Sequence, residues 1–161
     1  MPIQVGDRIP EAKFRVMTEN GPAWATTDDV FKGKTVVLFA VPGAFTPTCH
    51  NNHLPGFLAR ADEIKAKGVD TIAVTAVNDV FVMHAWRKAA GADGRIEFLA
   101  DGNGDFAKAI GMTMDVSAGG LGLRSKRYAM LVKDGEVARI SVEPEPGQAV
   151  ATSAESVLAT L

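Results

Sequence analysis

Two nearly continuous apolar runs, residues 35–41 (TVVLFAV) and 71–77 (TIAVTAV), limit the folds open to this chain more than any other feature. Both runs are rich in β-branched residues, as expected for strands that are buried on both faces of a sheet. The segment between them ends in ARADEIKAKG, which predicts an amphipathic helix that stops at Gly68. A strand, a helix and a second strand in this order form a βαβ unit, so we expect the two runs to lie parallel.

Helical and strand patterns alternate beyond this unit. Asn78 or Asp79 offers an N-cap for a helix through FVMHAWRKAAG, which Gly91 would close. A third apolar run covers residues 96–100, and a short helix is predicted over residues 105–110.

The C-terminal third of the chain predicts an antiparallel hairpin. Two strand-like runs in YAMLVKDGEVARISV flank Asp134-Gly135, a strong hairpin signal, and Ser153 offers a cap for a terminal helix in SAESVLATL. Near the N-terminus, FRVMT and PAWAT predict a second, smaller hairpin. A parallel βαβ half followed by a hairpin and a last helix predicts an α/β, thioredoxin-like fold, with a central mixed β-sheet flanked by helices. We expect residues 1–161 to form a single domain of this kind.

Composition excludes several classes of protein. The formal net charge is -2, so there is no basic footprint for nucleic acid or an anionic membrane. The longest apolar run is far too short to span a bilayer, and the N-terminal residues lack the pattern of a signal peptide. A single cysteine can form no internal disulfide, which is typical of a reducing compartment, and we therefore expect a cytoplasmic protein.

The single cysteine lies in VPGAFTPTCH, directly after the first apolar run. Pro42 and Gly43 predict a sharp turn at the carboxyl end of a central strand, where open α/β sheets usually keep their chemistry. If Thr46 is an N-cap and Pro47 the first helical residue, Cys49 lies in the first turn of a helix. The helix dipole and the unpaired amides there would stabilise a thiolate, the reactive form of cysteine.

Other interpretations of this segment remain open on the residues alone. A lone cysteine among apolar residues is often a small buried side chain, and Thr46 could act only as a cap. Cys49, His50 and His53 could hold a metal, but their spacing matches no common zinc pattern, so we expect no metal. We expect His53 to pack at the edge of the site or to bond a backbone group. Thr46-x-x-Cys49 lacks the first cysteine of both the dithiol and the haem motifs. In a different part of the chain, the run GGLGLRSKR lacks the Gly-Lys-Ser/Thr ending of a phosphate-binding loop, so nucleotide binding is weakly supported.

The motif Pro42-x-x-x-Thr46-x-x-Cys49 resembles the PxxxTxxC signature of the peroxiredoxins. The surrounding VPGAFTPTCHNNHLPGF is similar to the type II, or peroxiredoxin-5-like, subfamily. The similarity continues through VNDVFVMHAW, FLADGNGDFAKAIGM, LGLRSKRYAMLVKDGEV and VEP, and so covers nearly the whole chain.

This resemblance implies a role for each matching residue. Cys49 would be the peroxidatic cysteine, which attacks a peroxide oxygen, and Thr46 would offer its hydroxyl to the peroxide and the thiolate. Pro42 would shield and shape the pocket. The arginine of the family falls on Arg127 rather than Arg124, because an aromatic residue and then a small one follow Arg127. A fixed cation there would stabilise the negative charge that develops on the leaving oxygen.

The sequence departs from part of the subfamily at one place. Some type II members carry a resolving cysteine near the C-terminus, and the corresponding position here is about Thr152. The resemblance to one-cysteine members therefore implies an external thiol, glutathione with glutaredoxin or thioredoxin directly, that resolves the sulfenic acid on Cys49.

The implied enzyme is a peroxidase that reduces hydrogen peroxide and alkyl hydroperoxides in antioxidant defence. It would use the reducing thiol as a co-substrate and no bound cofactor. Homodimers are usual in this subfamily, and Phe45, Phe81 and Trp86 are candidates for the interface or, with greater weight, for the core. The alternative function is redox sensing, in which oxidation of Cys49 changes an interaction with a partner instead of completing a catalytic cycle.

Overall fold

The structure, a computed structural model, describes residues 2–145 and 147–161. Over these residues the chain forms a seven-stranded sheet, a separate two-stranded sheet and helices on both faces of the larger sheet. The strands are β1 (Lys13–Thr18), β2 (Gly21–Thr26), β3 (Thr35–Ala40), β4 (Thr71–Ala76), β5 (Glu97–Ala100), β6 (Thr113–Asp115), β7 (Leu123–Ser125), β8 (Tyr128–Lys133) and β9 (Glu136–Val142). The α-helices are α1 (Thr27–Phe31), α2 (Leu54–Ala66), α3 (Val80–Ala89), α4 (Asp105–Ala109) and α5 (Ala154–Leu158).

The large sheet has the order β2-β1-β5-β4-β3-β8-β9. Strands β3, β4 and β5 run parallel, as the βαβ pattern predicts, and β8 and β9 form the predicted antiparallel hairpin beside β3. The turn residues Asp134 and Gly135 both have positive φ, as a tight hairpin turn requires. The predicted α/β architecture with a central mixed sheet flanked by helices is therefore confirmed.

Each face of this sheet carries its own apolar core, because side chains alternate along the buried strands. One core includes Cys49, Phe39, Phe57 and Trp86, and the helices α2 and α3 cover it. The core on the opposite face contains residues of α1, α4 and the N-terminal segment. The site described below lies against the first of these cores.

Several helix ends agree with the sequence signals. Asp79 caps α3 through bonds from the amides of Phe81 and Val82, and Ser153 caps α5 through the amide of Ser156. The small hairpin of β1 and β2 also forms as predicted.

Several elements were not predicted. Helix α1 begins with a reciprocal capping box between Thr26 and Asp29, a spacing that the sequence does contain. Strands β6 and β7 pair across the glycine-rich loop. Residues Cys49–His53 form a π-helical segment ahead of α2, and no local pattern signals this form.

The register of β3 and β8 determines where the cysteine meets the arginine. Ala40, the last residue of β3, pairs with Tyr128, the first residue of β8. Arg127 directly precedes Tyr128, so it lies beside the turn that follows β3. Tyr128 packs into the second core, and Arg127 therefore points to the opposite face, where Cys49 is buried.

No helix in the described part of the chain combines the length and the apolar character needed to cross a lipid bilayer.

Candidate active site

A tight turn connects β3 to the helix that carries the cysteine. Thr46 donates both its amide, at 3.3 Å, and its hydroxyl, at 2.7 Å, to the carbonyl of Gly43. The amide of Ala44 donates to Oδ1 of Asn78 at 2.9 Å, which ties the turn to the segment before α3. Phe45 has a φ of 63°, a backbone conformation that is uncommon for a bulky residue. Hydrogen bonds thus fix the turn both internally and to the neighbouring segment.

The helix begins at Pro47, as predicted, but Thr46 does not cap it with its side chain. The amide of His50 donates to the backbone carbonyl of Thr46 at 2.8 Å, while the hydroxyl of Thr46 donates backwards to Gly43. Among the described residues no amide of the first helical turn donates to the hydroxyl oxygen of Thr46, so the prediction of a side-chain cap was wrong. Cys49 still lies in the first helical turn, where amides point out of the helix without intrahelical partners.

Cys49 is completely buried, and its sulfur contacts a buried arginine. Nη2 of Arg127 donates to Sγ of Cys49 at 3.1 Å, and only 2% of Arg127 is exposed. These residues are far apart in sequence, and the strand register described above brings them together. The bond places a cationic donor directly against the sulfur atom in a buried site.

His53 holds the other side of the guanidinium. Nη1 of Arg127 donates to Nδ1 of His53 at 2.9 Å, and Nε2 of His53 bonds the carbonyl of Thr152 at 2.8 Å. Since a carbonyl can only accept, Nε2 carries the ring proton and Nδ1 is the acceptor. Burial, together with the charge of Arg127, lowers the pKa of His53 to about 4, so the ring is neutral near pH 7.

Glu143 holds the segment that supplies the carbonyl. Its Oε2 accepts from the amides of Val150 and Thr152, each at 3.1 Å, and from the Thr152 hydroxyl at 2.9 Å. Its Oε1 accepts from the amide of Ala151 at 3.4 Å. Burial alone would raise the pKa of Glu143, but the hydroxyl and the three amides together lower it below its ordinary value. A charged carboxylate thus fixes Thr152, which fixes His53.

These contacts form one continuous chain of hydrogen bonds from the carboxylate to the sulfur. It runs through Glu143, Thr152, His53, Arg127 and Cys49. The backbone closes it, because the amide of Glu143 donates to the carbonyl of Arg127 at 2.9 Å. The arrangement aims one edge of a guanidinium at a buried sulfur atom and prevents it from turning away.

Four residues were predicted for this site from the sequence. Cys49 and Arg127 are in direct contact, and Thr46 and Pro42 form the turn directly before the cysteine. The sequence predicted that His53 packs at the edge of the site or bonds a backbone group, and its bond to the carbonyl of Thr152 confirms the second alternative. Glu143 was given no role. The one available signal was the position of His53 on the same helical stretch as Cys49; the contacts of Glu143 are tertiary and leave no local pattern.

Of the three aromatic candidates, one lies in the core and two are exposed. Trp86 is fully buried and donates through Nε1 to Nδ1 of His50 at 3.1 Å, so it belongs to the core. Phe45 and Phe81 are 46% and 64% exposed. Among the described residues, no cluster of histidine, cysteine and carboxylate side chains has the arrangement of a metal site.

Comparisons with known proteins show which sequences and structures this chain resembles. The sequence model of the family described as Redoxin matches residues 4–158. The chain is similar to peroxiredoxin-2C of Oryza sativa subsp. japonica, with 44% identity over 161 residues that cover 99% of both proteins.

Solved structures give the same result for the fold. Reduced Prx3 of Vibrio vulnificus, in complex with hydrogen peroxide, superimposes with a TM-score of 0.93 and 48% identity over 98% of each chain. Peroxiredoxin 5 of Alvinella pompejana superimposes with a TM-score of 0.86 and 38% identity, over 99% of this chain and 97% of its own. The predicted thioredoxin-like fold is therefore confirmed.

Proposed function

Because this chain belongs to the peroxiredoxins, within the redoxin family, it is a thiol-dependent peroxidase, and we propose that Cys49 is its reacting thiol. The observation that carries the assignment is the bond of 3.1 Å from Arg127 to the sulfur of the single cysteine. Thr46 and Pro42 complete the proposed site, in the turn before Cys49. The reaction as proposed needs no bound cofactor and no metal, because the thiol reductant is a co-substrate.

In the first half-reaction, the thiolate of Cys49 attacks the terminal oxygen of a hydroperoxide. The S–O bond forms as the O–O bond breaks, Cys49 becomes a sulfenic acid, and the other oxygen leaves as water or an alcohol after taking up a proton. Arg127 stabilises the charge that moves onto the leaving oxygen. The Thr46 hydroxyl hydrogen is engaged by Gly43, so its oxygen serves as an acceptor for the O–H of the peroxide. Pro42 shields this side of the pocket.

In the second half-reaction, an external thiol displaces water from the sulfenic acid and forms a mixed disulfide with Cys49. A second thiol then releases the Cys49 thiol and leaves as a disulfide with the first. We propose glutathione with glutaredoxin as the reductant, or thioredoxin directly, because the sequence has no second cysteine. Hydrogen peroxide and alkyl hydroperoxides are the proposed substrates, supported by the peroxide complex of the Vibrio vulnificus relative.

Two further properties belong to the same proposal. A single cysteine, which can form no internal disulfide, is typical of a reducing compartment and supports a cytoplasmic location. The exposed aromatic side chains of Phe45 and Phe81 beside the active-site turn support a homodimer. The alternative function of a redox sensor has no specific observation in its favour.

The test is peroxide consumption by the purified protein, with the glutathione, glutaredoxin and thioredoxin systems assayed in parallel. Cys49→Ser should abolish turnover, and Arg127→Ala should slow peroxide reduction by at least ~10²-fold, as loss of one fixed donor to the transition state can do. Arg139→Ala, at an exposed position of β9, is the matched control.

Undiminished turnover by Cys49→Ser would overturn the assignment of the thiol, and a normal rate for Arg127→Ala would reject the role of the arginine. Stoichiometric oxidation of Cys49 that no thiol donor reverses would favour the sensor instead.

A further inference from the structure

A second arginine lies against the active-site turn and has no part in the reaction described above. Arg124, on β7, donates from Nη1 to the carbonyl of Pro42 at 3.3 Å and from Nε to the carbonyl of Leu121 at 2.9 Å. Its side chain is neither fully buried nor fully exposed. The two bonds hold its guanidinium group at the rim of the turn that precedes Cys49.

Gly43 provides the space that this arginine occupies. A Cβ atom at position 43 would lie 2.9 Å from Nη1 of Arg124 and 3.1 Å from Cγ2 of Thr46. Both distances are shorter than ordinary contacts, although the backbone of Gly43 does not have a positive φ. A side chain at position 43 would therefore compete with the guanidinium of Arg124 for this space, and the guanidinium, at the end of a flexible side chain, would have to move.

The guanidinium retains the capacity to bind an anion. An arginine has more N–H donors than the two carbonyl bonds use. In the part of the chain that the structure describes, Arg124 forms no ion pair with a carboxylate. Its charge is thus neutralised by no acidic side chain there, and its fork of donors suits the two oxygens of a carboxylate.

The two substrates of the enzyme differ in what they offer to such a group. Hydrogen peroxide and simple alkyl hydroperoxides are neutral, so they give a guanidinium at the rim no anion to bind. Small biological thiols commonly carry carboxylates, and the turn that Arg124 contacts leads directly into the helical segment that carries Cys49.

We propose that Arg124 binds a carboxylate of the external thiol that reduces oxidised Cys49. The site consists of the Arg124 guanidinium above Pro42 and Gly43, and it selects anionic over neutral thiols in the second half-reaction. Binding would align the thiol for attack on the sulfenic acid, in the step that forms the S–S bond and releases water. This inference rests on the proposed function, specifically on reduction by an external thiol.

The test compares thiols of similar size and different charge. Cys49 is first oxidised with one equivalent of hydrogen peroxide, and the sulfenic acid is then mixed with 3-mercaptopropionate, 2-mercaptoethanol or cysteamine in single turnovers. Each rate constant is corrected for the ionised fraction of the thiol. The readout is the ratio of the rate constant for the anionic thiol to that for the neutral thiol, in which any general damage to the active site cancels.

We expect Arg124→Gln to lower this ratio about fivefold, the scale of one partly exposed charged pair. High salt should lower the ratio in the wild-type protein as well. Gly43→Ala should lower it without any change of charge, because the added methyl group displaces the guanidinium. Arg139→Gln, which removes the same charge from the exposed face of β9, should leave the ratio at the wild-type value.

Two outcomes overturn the inference: an unchanged ratio in Arg124→Gln, or an equal fall in Arg139→Gln, which would mean that only the overall charge matters. A failure of the proposed function looks different, because then no thiol of any charge would restore Cys49 in the wild-type protein.

Discussion

At the scale of single residues, the reactivity of the site depends on how the partners of Cys49 are held. The sequence predicts Cys49 and Thr46 because their signals are local: a strand, a turn and a helix start. Arg127 could be placed only through the resemblance, since a lone arginine before a strand is usually solvated. His53 could not be predicted as the partner of Arg127, because that contact depends on the packing of β8 against the helix.

Protonation of His53 should make folding stability depend on pH. The unfolded state binds this proton near pH 6.5, but the folded state binds it only near pH 4. Between these values the unfolded state holds more protons, so stability falls as the pH is lowered and is fully present above pH 6.5. The expected loss is about 3 kcal/mol over this range, measured by denaturant unfolding at a series of pH values.

Variants separate this contribution from that of the carboxylates, which titrate nearby. His53→Asn should lose the part of the pH dependence that lies between pH 6.5 and 4. His84→Asn, at a less buried position on α3, should retain it. Identical pH profiles for the wild type and His53→Asn would show that the ring is not held neutral by its surroundings.

At the scale of elements, two segments are in contact at the site, and no local sequence pattern predicts that contact. The π-helical segment carries Cys49 and His53, and the segment 147–152 lies across it. Besides the bond from His53 to Thr152, the hydroxyl of Thr48 donates to the carbonyl of Gly147 at 2.7 Å. Periodicity predicts the neighbouring strands and helices well, but it carries no information on such contacts between irregular segments.

Glu143→Gln should slow the reaction with peroxide, although the side chain does not touch the sulfur. The substituted amide has only one acceptor oxygen, so the backbone N–H groups of residues 150–152 lose part of their anchor, and Arg127 is less firmly aimed through His53. We expect a fall of about tenfold in the second-order rate constant, the effect of roughly 1.4 kcal/mol of lost orientation. Stopped-flow measurement of Cys49 oxidation provides the rate.

Two comparisons decide whether Glu143 acts through this route. Glu145→Gln, a change of the same kind at an exposed site on the same loop, should have no effect. In an Arg127→Ala background, Glu143→Gln should cause little further loss of rate, because the residue that it positions is gone. A full, additive loss in the double variant would show that Glu143 acts independently of Arg127.

At the scale of the whole molecule, two exposed aromatic side chains, Phe45 and Phe81, belong to segments that meet beside the active-site turn. The bond between Ala44 and Asn78 ties the turn that carries Phe45 to the start of α3, where Phe81 is 64% exposed. The sequence identified both residues but could not distinguish interface from core, whereas the structure separates them from the buried Trp86. The homodimer itself stays a prediction.

Phe81→Glu should weaken self-association. A carboxylate in an apolar interface loses its hydration when the dimer forms, which costs free energy. We therefore expect the dimer dissociation constant to rise at least about tenfold. Sedimentation velocity over a dilution series measures it. Val5→Glu, at a position that is also exposed, is the control, and equal association of all three proteins would exclude this face as the interface.

The position of Thr152 has a consequence for how enzymes of this kind can evolve. A resolving cysteine at this position, as the resemblance implies for some type II members, would have to move to the sulfur of Cys49 to form a disulfide with it. Here the same residue is immobilised on both sides, by Glu143 through its hydroxyl and by His53 through its carbonyl. A lineage that acquired a second thiol at this position would have to give up part of the network that orients its arginine. One residue therefore cannot serve both as a mobile resolving thiol and as a fixed anchor for His53, and in this structure Thr152 is the anchor.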